Sequence, residues 1–409
     1  MATHSSMSTI GSSPALLRRM NSRAVLAELF RAGPDVGDPG RASRTVTELV
    51  AAVGLTRPTV EAALTDLVAE GWVEELKAVA TPNRAGRRAR RFRIDARSGL
   101  VLGIDLGLHA VVGVLADLHG DPVARTEQFA PTLAPIEQAV AAVREVVDRL
   151  VGTLPPGRLL AVTVCVPAII DRTGRIVHTV AAPEWQSEGI TERIAALVPD
   201  AVTVFENDAK AAARAEAAWG RLHGVRDGLL LVMGRQIGAA LVVGGSVAQG
   251  AHGAAGEVGG LAATGWPGAA RALEARSDPG AGPTSTGGPG GNALPGGSGA
   301  GLGVEDGRAA VRALAADVAP GVAQLVAAVD PEVVVVGGEV LPDGEEFCTA
   351  LAAELEKLPG LGVPGAPAVA VVPSGLGRDA VSRGAVARSL ATARAERLGL
   401  GVGLHAGVA

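Results

Sequence analysis

The chain has 409 residues, 48% hydrophobic and 19% charged, which is the composition of soluble globular domains and enough length for two or three of them. No uncharged apolar run reaches the length of a membrane span and no basic-then-apolar leader opens the chain, so a cytoplasmic protein with no membrane partner is expected. The net charge of −5 divides into +5 for residues 1–98 and −10 for the rest, the pattern of a nucleic-acid-binding head on an acidic body.

Ordinary solvated surface can produce the same division, so the motifs must decide. Residues 1–13 are small and polar and are expected to form a disordered tail. Apolar positions 16, 17, 20, 25, 26, 29 and 30 predict a helix from Leu16 to Phe30. Gly33–Gly40 reads as a loop. Thr45–Val53 reads as a short capped helix stopped by Gly54. A second helix follows from Thr56-Arg57-Pro58, with Thr56 as cap and Pro58 tolerated in the first turn. Its buried stripe is Val60, Leu64, Leu67 and Val68. Gly71–Leu76 and Arg91–Ile94 are expected to pair as strands, with the basic run Asn83–Arg90 as a hairpin tip.

Two helices across a tight turn, followed by a β-wing, make a winged helix-turn-helix over 14–97 that reads double-stranded DNA. Arg57 and Thr59 would lead the second helix into the major groove, while Arg84, Arg87, Arg88 and Arg90 suit phosphates or the minor groove. Glu61 on the same helix would repel phosphate. Helix pairs that only pack share this geometry; the basic wing favours DNA.

After residue 98 the pattern becomes α/β. Strands are expected at 101–107, 111–116, 159–166, 201–205, 229–233, 239–243 and 333–336, with helices at 136–151, 208–219, 308–328 and 344–357. Residues 278–303 are mostly Gly, Pro, Ser, Thr and Ala and read as a flexible surface insertion. Cys165 and Cys348 are the only cysteines, too few and too far apart for a disulfide framework or a thiolate zinc site.

Asn207-Asp208 at a strand end can serve a sugar. The amide both donates and accepts, and the carboxylate accepts from a hydroxyl or removes its proton. The same pair also reads as a helix cap, because 209–218 is plainly helical. Five segments resemble the ROK (repressor, open reading frame, kinase) family in the correct order: Gly103-Ile104-Asp105-Leu106-Gly107; Val166–Val177; Glu206-Asn207-Asp208-Ala209-Lys210-Ala211-Ala212-Ala213; Gly250–Gly259; and Asp330–Gly338. The resemblance covers the chain from the winged helix onward. It implies a two-lobed actin/hexokinase-like sugar-kinase body over 98–409.

By the same resemblance, Asn207, Asp208, Glu257 and Glu274 would bind ligand, with Asp208 at the position of the kinases' general base. Asp105, Gly107, Gly234, Gly238, Gly337 and Gly338 would be the remains of a nucleotide site. Several departures speak against phosphoryl transfer. The first phosphate turn reads Gly107-Leu108-His109 and the second Gly234-Arg235-Gln236, with bulk where backbone should meet phosphate. Gly260 stands at the position of the family's zinc-binding histidine, and no cysteine lies between 166 and 347, so no zinc is expected. Ala181 replaces a sugar-binding asparagine. The expectation is therefore a regulator, a repressor in sign, without metal or ATP as cofactor and not an enzyme. It would sense a sugar or related metabolite and act as a homodimer or higher homo-oligomer on a palindromic operator. An active sugar kinase with an accessory head, and a regulator whose body serves dimerisation alone, are the alternatives.

Overall fold

The computed structural model describes residues 13–32, 43–76, 89–186, 189–234, 236–276, 304–338, 344–358, 361 and 368–400, with backbone alone at 272–276 and 304–307. The expected tail apart from Ser13, the 33–40 loop, residues 83–88 of the wing and the 278–303 insertion lie outside the described residues.

The head begins with α1 (Pro14–Arg31). Ser13, assigned to the tail by its composition, is in fact the N-cap of this helix; its hydroxyl accepts from the Leu16 amide at 3.4 Å. A two-residue strand, β1 (Arg44–Thr45), leads into α2 (Val46–Val53). Thr45 and Glu48 there form a reciprocal capping box, with Glu48 N to Thr45 Oγ1 at 3.2 Å and Thr45 N to Glu48 Oε2 at 2.7 Å. Next comes α3 (Arg57–Ala69). Thr56 takes the N-cap position as expected, but its hydroxyl accepts no amide: Pro58 removes one of the amides a cap would take, and Thr56 Oγ1 instead meets Thr59 Oγ1 at 2.8 Å. The strands β2 (Val73–Leu76) and β3 (Arg91–Ile94) pair antiparallel, and β1 joins the other edge of β3.

The first lobe of the body comprises β4 (Leu100–Leu106), β5 (Ala110–Asp117), β6 (Pro122–Phe129), α4 (Ile136–Val151), β7 (Leu159–Val166), β8 (Ile169–Ile170), β9 (Ile176–His178), α5 (Ile190–Ala195), β10 (Val202–Asn207) and α6 (Asp208–Trp219). Its sheet runs β10-β7-β4-β5-β6, with the first three strands parallel, and β8 and β9 form a separate ribbon. The second lobe comprises β11 (Gly228–Met233), β12 (Ile237–Val243), β13 (Ser246–Val247), α7 (Trp266–Arg276), α8 (Val304–Val329), β14 (Val333–Gly337), α9 (Gly344–Glu356) and β15 (Ala370–Pro373). Its sheet order is β13-β12-β11-β14-β15. Last comes α10 (Ala380–Thr392), continued by a π-helical turn at Ala393–Arg397.

Strand β4 is buried on both faces because helices cover both. Leu102, Ile104 and Leu106 face the α4 core, while Val101 joins the core on the α10 side. α10 approaches so closely that a Cβ on Gly384 would lie 1.7 Å from the Ala211 carbonyl oxygen of α6. Among the described residues one helix, α8, is long and apolar enough over Arg308–Val329 to cross a membrane, yet half of its apolar 18-residue stretch is buried. Its Val311, Leu314, Val318 and Val322 fill the second-lobe core beside Phe347 and Leu351 of α9.

The head does not hang from the body by a linker. Val25, Leu29, Leu49, Leu64 and Phe92 of the head share one buried cluster with Leu118, Leu160, Val386, Leu390 and Leu398 of the body. Arg394 lies 4.9 Å over the Phe30 ring and donates from Nη2 to the Leu118 carbonyl at 3.2 Å.

Candidate functional site

In the head, Arg57 stands at the start of α3 and is 62% exposed. Its Nε donates to Glu61 Oε1 at 3.0 Å, so Glu61 positions Arg57 as well as opposing phosphate. Thr59 is partly buried, its hydroxyl engaged with Thr56. Arg90 is held as a fork on Glu75, Nε to Oε1 at 2.7 Å, and lies 5.1 Å over the Phe92 ring. It belongs to the β2–β3 pairing, and any phosphate contact would compete with that carboxylate. Arg84, Arg87 and Arg88 lie outside the described residues. Arg18, not singled out by sequence, ties α1 to α3 through Asp66 at 2.6 Å.

In the cleft of the body, Asn207 proves to be a cap. Its Oδ1 accepts from the Lys210 amide at 3.0 Å, and its Nδ2 donates to the Ala168 carbonyl at 3.2 Å. With 6% exposure, its amide is largely committed to the fold. Asp208 follows it as the first residue of α6 and accepts from the Ala209 amide at 2.7 Å. Burial, reinforced by the charge of Glu257, pushes its carboxyl from 3.8 up to about 6. Asp105 on β4 stands opposite Cys165 of β7. Burial raises the Cys165 thiol well above its ordinary value, and the charges of Glu206, Asp105 and Asp208 add to the rise.

Lys210 is a buried cleft residue that the motifs did not single out. It is 1% exposed and donates from Nζ to the Gly253 carbonyl at 2.7 Å and to Glu257 Oε1 at 3.3 Å. One of the expected ligand groups is therefore already engaged by a cation. The signal available was a long basic side chain in a run otherwise of alanines.

At the first phosphate turn, the Gly107 amide donates to the Ala110 carbonyl at 3.0 Å. Leu108 packs onto the first-lobe core, and His109 Nδ1 lies 2.7 Å from the Pro131 carbonyl oxygen. In the second turn, Gly234 N donates to the Gln236 carbonyl at 3.1 Å, and Arg235 lies outside the described residues. A Cβ on Gly238 would touch Ala209, and one on Gly337 would crowd Ser374. Gly338 has φ 123° and sits where a Cβ would lie 2.0 Å from the Met233 carbonyl oxygen, so the ends of β11 and β14 demand a glycine there.

The model of the ROK family matches residues 101–276, and that of the IclR helix-turn-helix domain matches residues 38–77. The chain carries a ROK family domain behind an IclR-type helix-turn-helix. It is 25% identical over 246 residues to the xylose repressor of Bacillus subtilis (strain 168), covering 59% of this chain and 60% of that one. It is 27% identical over 161 residues to a glucokinase of Streptomyces coelicolor, covering 39% of this chain and 49% of the relative. The chain thus spans about half to three-fifths of the length of the curated relatives it matches. Among solved structures, a ROK family transcriptional regulator described as a homologue of Escherichia coli MLC superposes with a TM-score of 0.61. That match covers 96% of this chain and 99% of the other at 17% identity, a likeness of fold.

The segment Glu206–Ala212 resembles a ROK signature, Glu-Asn-Asp-Ala-Asn-Ala-Ala, and by that resemblance Lys210 stands at the position of its second asparagine. Ala181, at the lost asparagine, precedes the fully buried Ala182. Among the described residues, no group of three or more His, Cys, Asp or Glu side chains can hold a metal ion. With Gly260 at the histidine position, the residues present do not fit the family's zinc. Glu274 falls on α7, where the backbone alone is described.

Proposed function

We propose that the protein is a DNA-binding transcriptional regulator, a repressor in sign. In this reading the module at 14–97 reads a palindromic operator, and the ROK body at 98–409 binds a sugar or related metabolite and pairs two chains. The observation that carries it is the single buried cluster joining head and body. A rearrangement of the first lobe is felt in α1 and α3 without passing through a flexible tether. Support for a sugar-class effector comes from the B. subtilis relative, a xylose repressor, and from the carboxylates Asp208 and Glu257, which can accept from hydroxyls.

Phosphoryl transfer has no part in this reading. Leu108 and His109 replace small residues at the first phosphate turn, Leu108 packed onto the core and His109 beside the Pro131 carbonyl, and Lys210 engages Glu257. The test is selection of genomic fragments by purified full-length protein, with and without pentoses, hexoses and amino sugars. Enrichment of a palindromic site that one sugar class releases supports the reading. Binding without any enriched site, with a salt dependence of generic phosphate contacts alone, overturns it.

One observation favours a second reading, an active sugar kinase: Asp208 has its carboxyl raised to about 6, toward the range of a general base. Sugar-dependent ATP consumption that disappears in Asp208→Asn would establish it, and no turnover on a broad sugar panel would remove it.

A further inference from the structure

A cavity of about 480 Å³ lies along the edge strand β10, between α5, α6, α10 and the β8–β9 turn, and none of Asp208, Lys210 and Glu257 lines it. Its wall carries four arginines, Arg172, Arg175, Arg214 and Arg388, against three carboxylates, Asp171, Glu192 and Glu206. All three carboxylates are engaged within the fold. Asp171 accepts from the Thr173 hydroxyl at 2.6 Å and Glu192 from the Thr191 hydroxyl at 2.8 Å. Glu206, 4% exposed, accepts from Arg214 Nε at 2.8 Å and from Gln249 Nε2 at 2.9 Å.

The arginines are less well served. Only Nε of Arg214 is spent on Glu206. Arg388 of α10 is partly buried and, among the described residues, makes no hydrogen bond or ion pair; burial and the charge of Arg214 hold it below the usual arginine value. Thr203 Oγ1, on the same wall, is buried without a partner. Two neighbouring guanidiniums with unused donors, each partly withdrawn from water, repel one another, and a planar or tetrahedral oxyanion relieves that repulsion. The volume suits a small organic molecule.

We propose that this cavity is a second ligand site, separate from the cleft, that takes a small metabolite bearing a phosphate monoester or carboxylate, with Arg388 as its principal ligand. Arg214 supplies further N–H groups. The site is joined to the head by covalent chain: Arg388 precedes by six positions Arg394, which lies over Phe30. An anion drawn onto Arg388 therefore acts on the helix that seats α1.

Titration calorimetry on the full-length protein tests this, using inorganic phosphate, a hexose 6-phosphate and malonate at constant ionic strength, with the neutral hexose as control. Saturable binding of an oxyanion is expected. It should weaken about tenfold or more in Arg388→Met, which keeps the packing stem, and about threefold or more in Arg388→Lys. It should be unchanged in Asp208→Asn. Preference for the phosphates over malonate identifies a phosphate monoester, and the reverse a carboxylate. Absence of saturable binding by all three anions overturns the proposal. Equal affinity in wild type and Arg388→Met also overturns it, as does a loss confined to Asp208→Asn. If Arg388→Met does not fold, undiminished affinity in Arg388→Lys is the overturning result.

Discussion

Lys210 of α6 and Glu257 of the Gly250–Gly259 segment meet with Nζ 3.3 Å from Oε1, the lysine 1% exposed and the glutamate 30%. The same ammonium holds the Gly253 carbonyl, so one cation organises the loop that closes the cleft. Replacing it by alanine strands that carbonyl and removes the carboxylate's partner, and should cost about 2–4 kcal/mol by urea unfolding. Lys210→Asn, which restores the ROK residue, should free Glu257 for hydroxyls and tighten sugar binding in calorimetry. Unchanged or weaker sugar binding would refute the idea that the lysine withholds Glu257.

Asp208 gives stability a pH signature. Its folded value of about 6 lies above the ordinary 3.8, so the fold favours the protonated acid. The contribution is fully present below about pH 4 and is lost as pH rises through about 6; the shift corresponds to roughly 3 kcal/mol. Asp208→Asn should therefore unfold at higher denaturant than wild type at pH 7–8, with the gap closing toward pH 4. A gap independent of pH would contradict this.

Gly384 admits α10 to its place against Ala211. Gly384→Ala should push the helices apart and destabilise by on the order of 3 kcal/mol, since a Cβ would overlap backbone that cannot rotate away. Thermal unfolding of the variant reads this directly. A change of less than about 1 kcal/mol would mean that the helix pair is far more compliant than close packing allows.

Arg394→Met keeps the stem on Phe30 but loses the cation over the ring and the bond to Leu118 O. A loss of about 1–2 kcal/mol is expected. Hydrogen exchange should accelerate most in α1, near the lost contact. Uniform acceleration throughout the chain would argue against a local role at the head–body junction.

On the DNA face, Arg57→Ala should weaken operator binding and lower the slope of log affinity against log salt by about one if the contact is to phosphate. Glu61→Ala, which releases Arg57 and removes a negative charge, should strengthen binding. Weaker binding in Glu61→Ala would show instead that its hold on Arg57 is what orients the guanidinium.

Strands β4, β5, β7, β11, β12 and β14 were legible because each is a nearly unbroken apolar run flanked by turn residues. The amphipathic α4 was readable to the residue, with Val140, Val143 and Val147 on its buried face. β6 escaped because it is an edge strand with Val123 and Phe129 exposed, so neither face shows an apolar stripe. α10 escaped for a different reason. Its buried face includes Ser382, Gly384, Ala385 and Ser389, residues chosen for closeness to α6 and for the bond from Ser389 to Thr163 at 2.8 Å. Of the cleft, positions 207 and 208 were found from the motif, but both readings of Asn207 were open until its amide was seen committed to the cap. For Lys210 the sequence offers one weak signal, a basic side chain among alanines, because burial of a charge has no sequence pattern of its own.

Winged helices are commonly treated as cassettes that can be moved from one sensor to another. Here Leu118, Leu160, Val386, Leu390 and Leu398 of the body belong to the same buried cluster as the core of the winged module. A chimera cut at residue 98 would carry an uncovered apolar face into its new host. To remain intact, the graft would have to bring along the end of α10 and the first strands of the body, so in this chain the unit of exchange is larger than the motif.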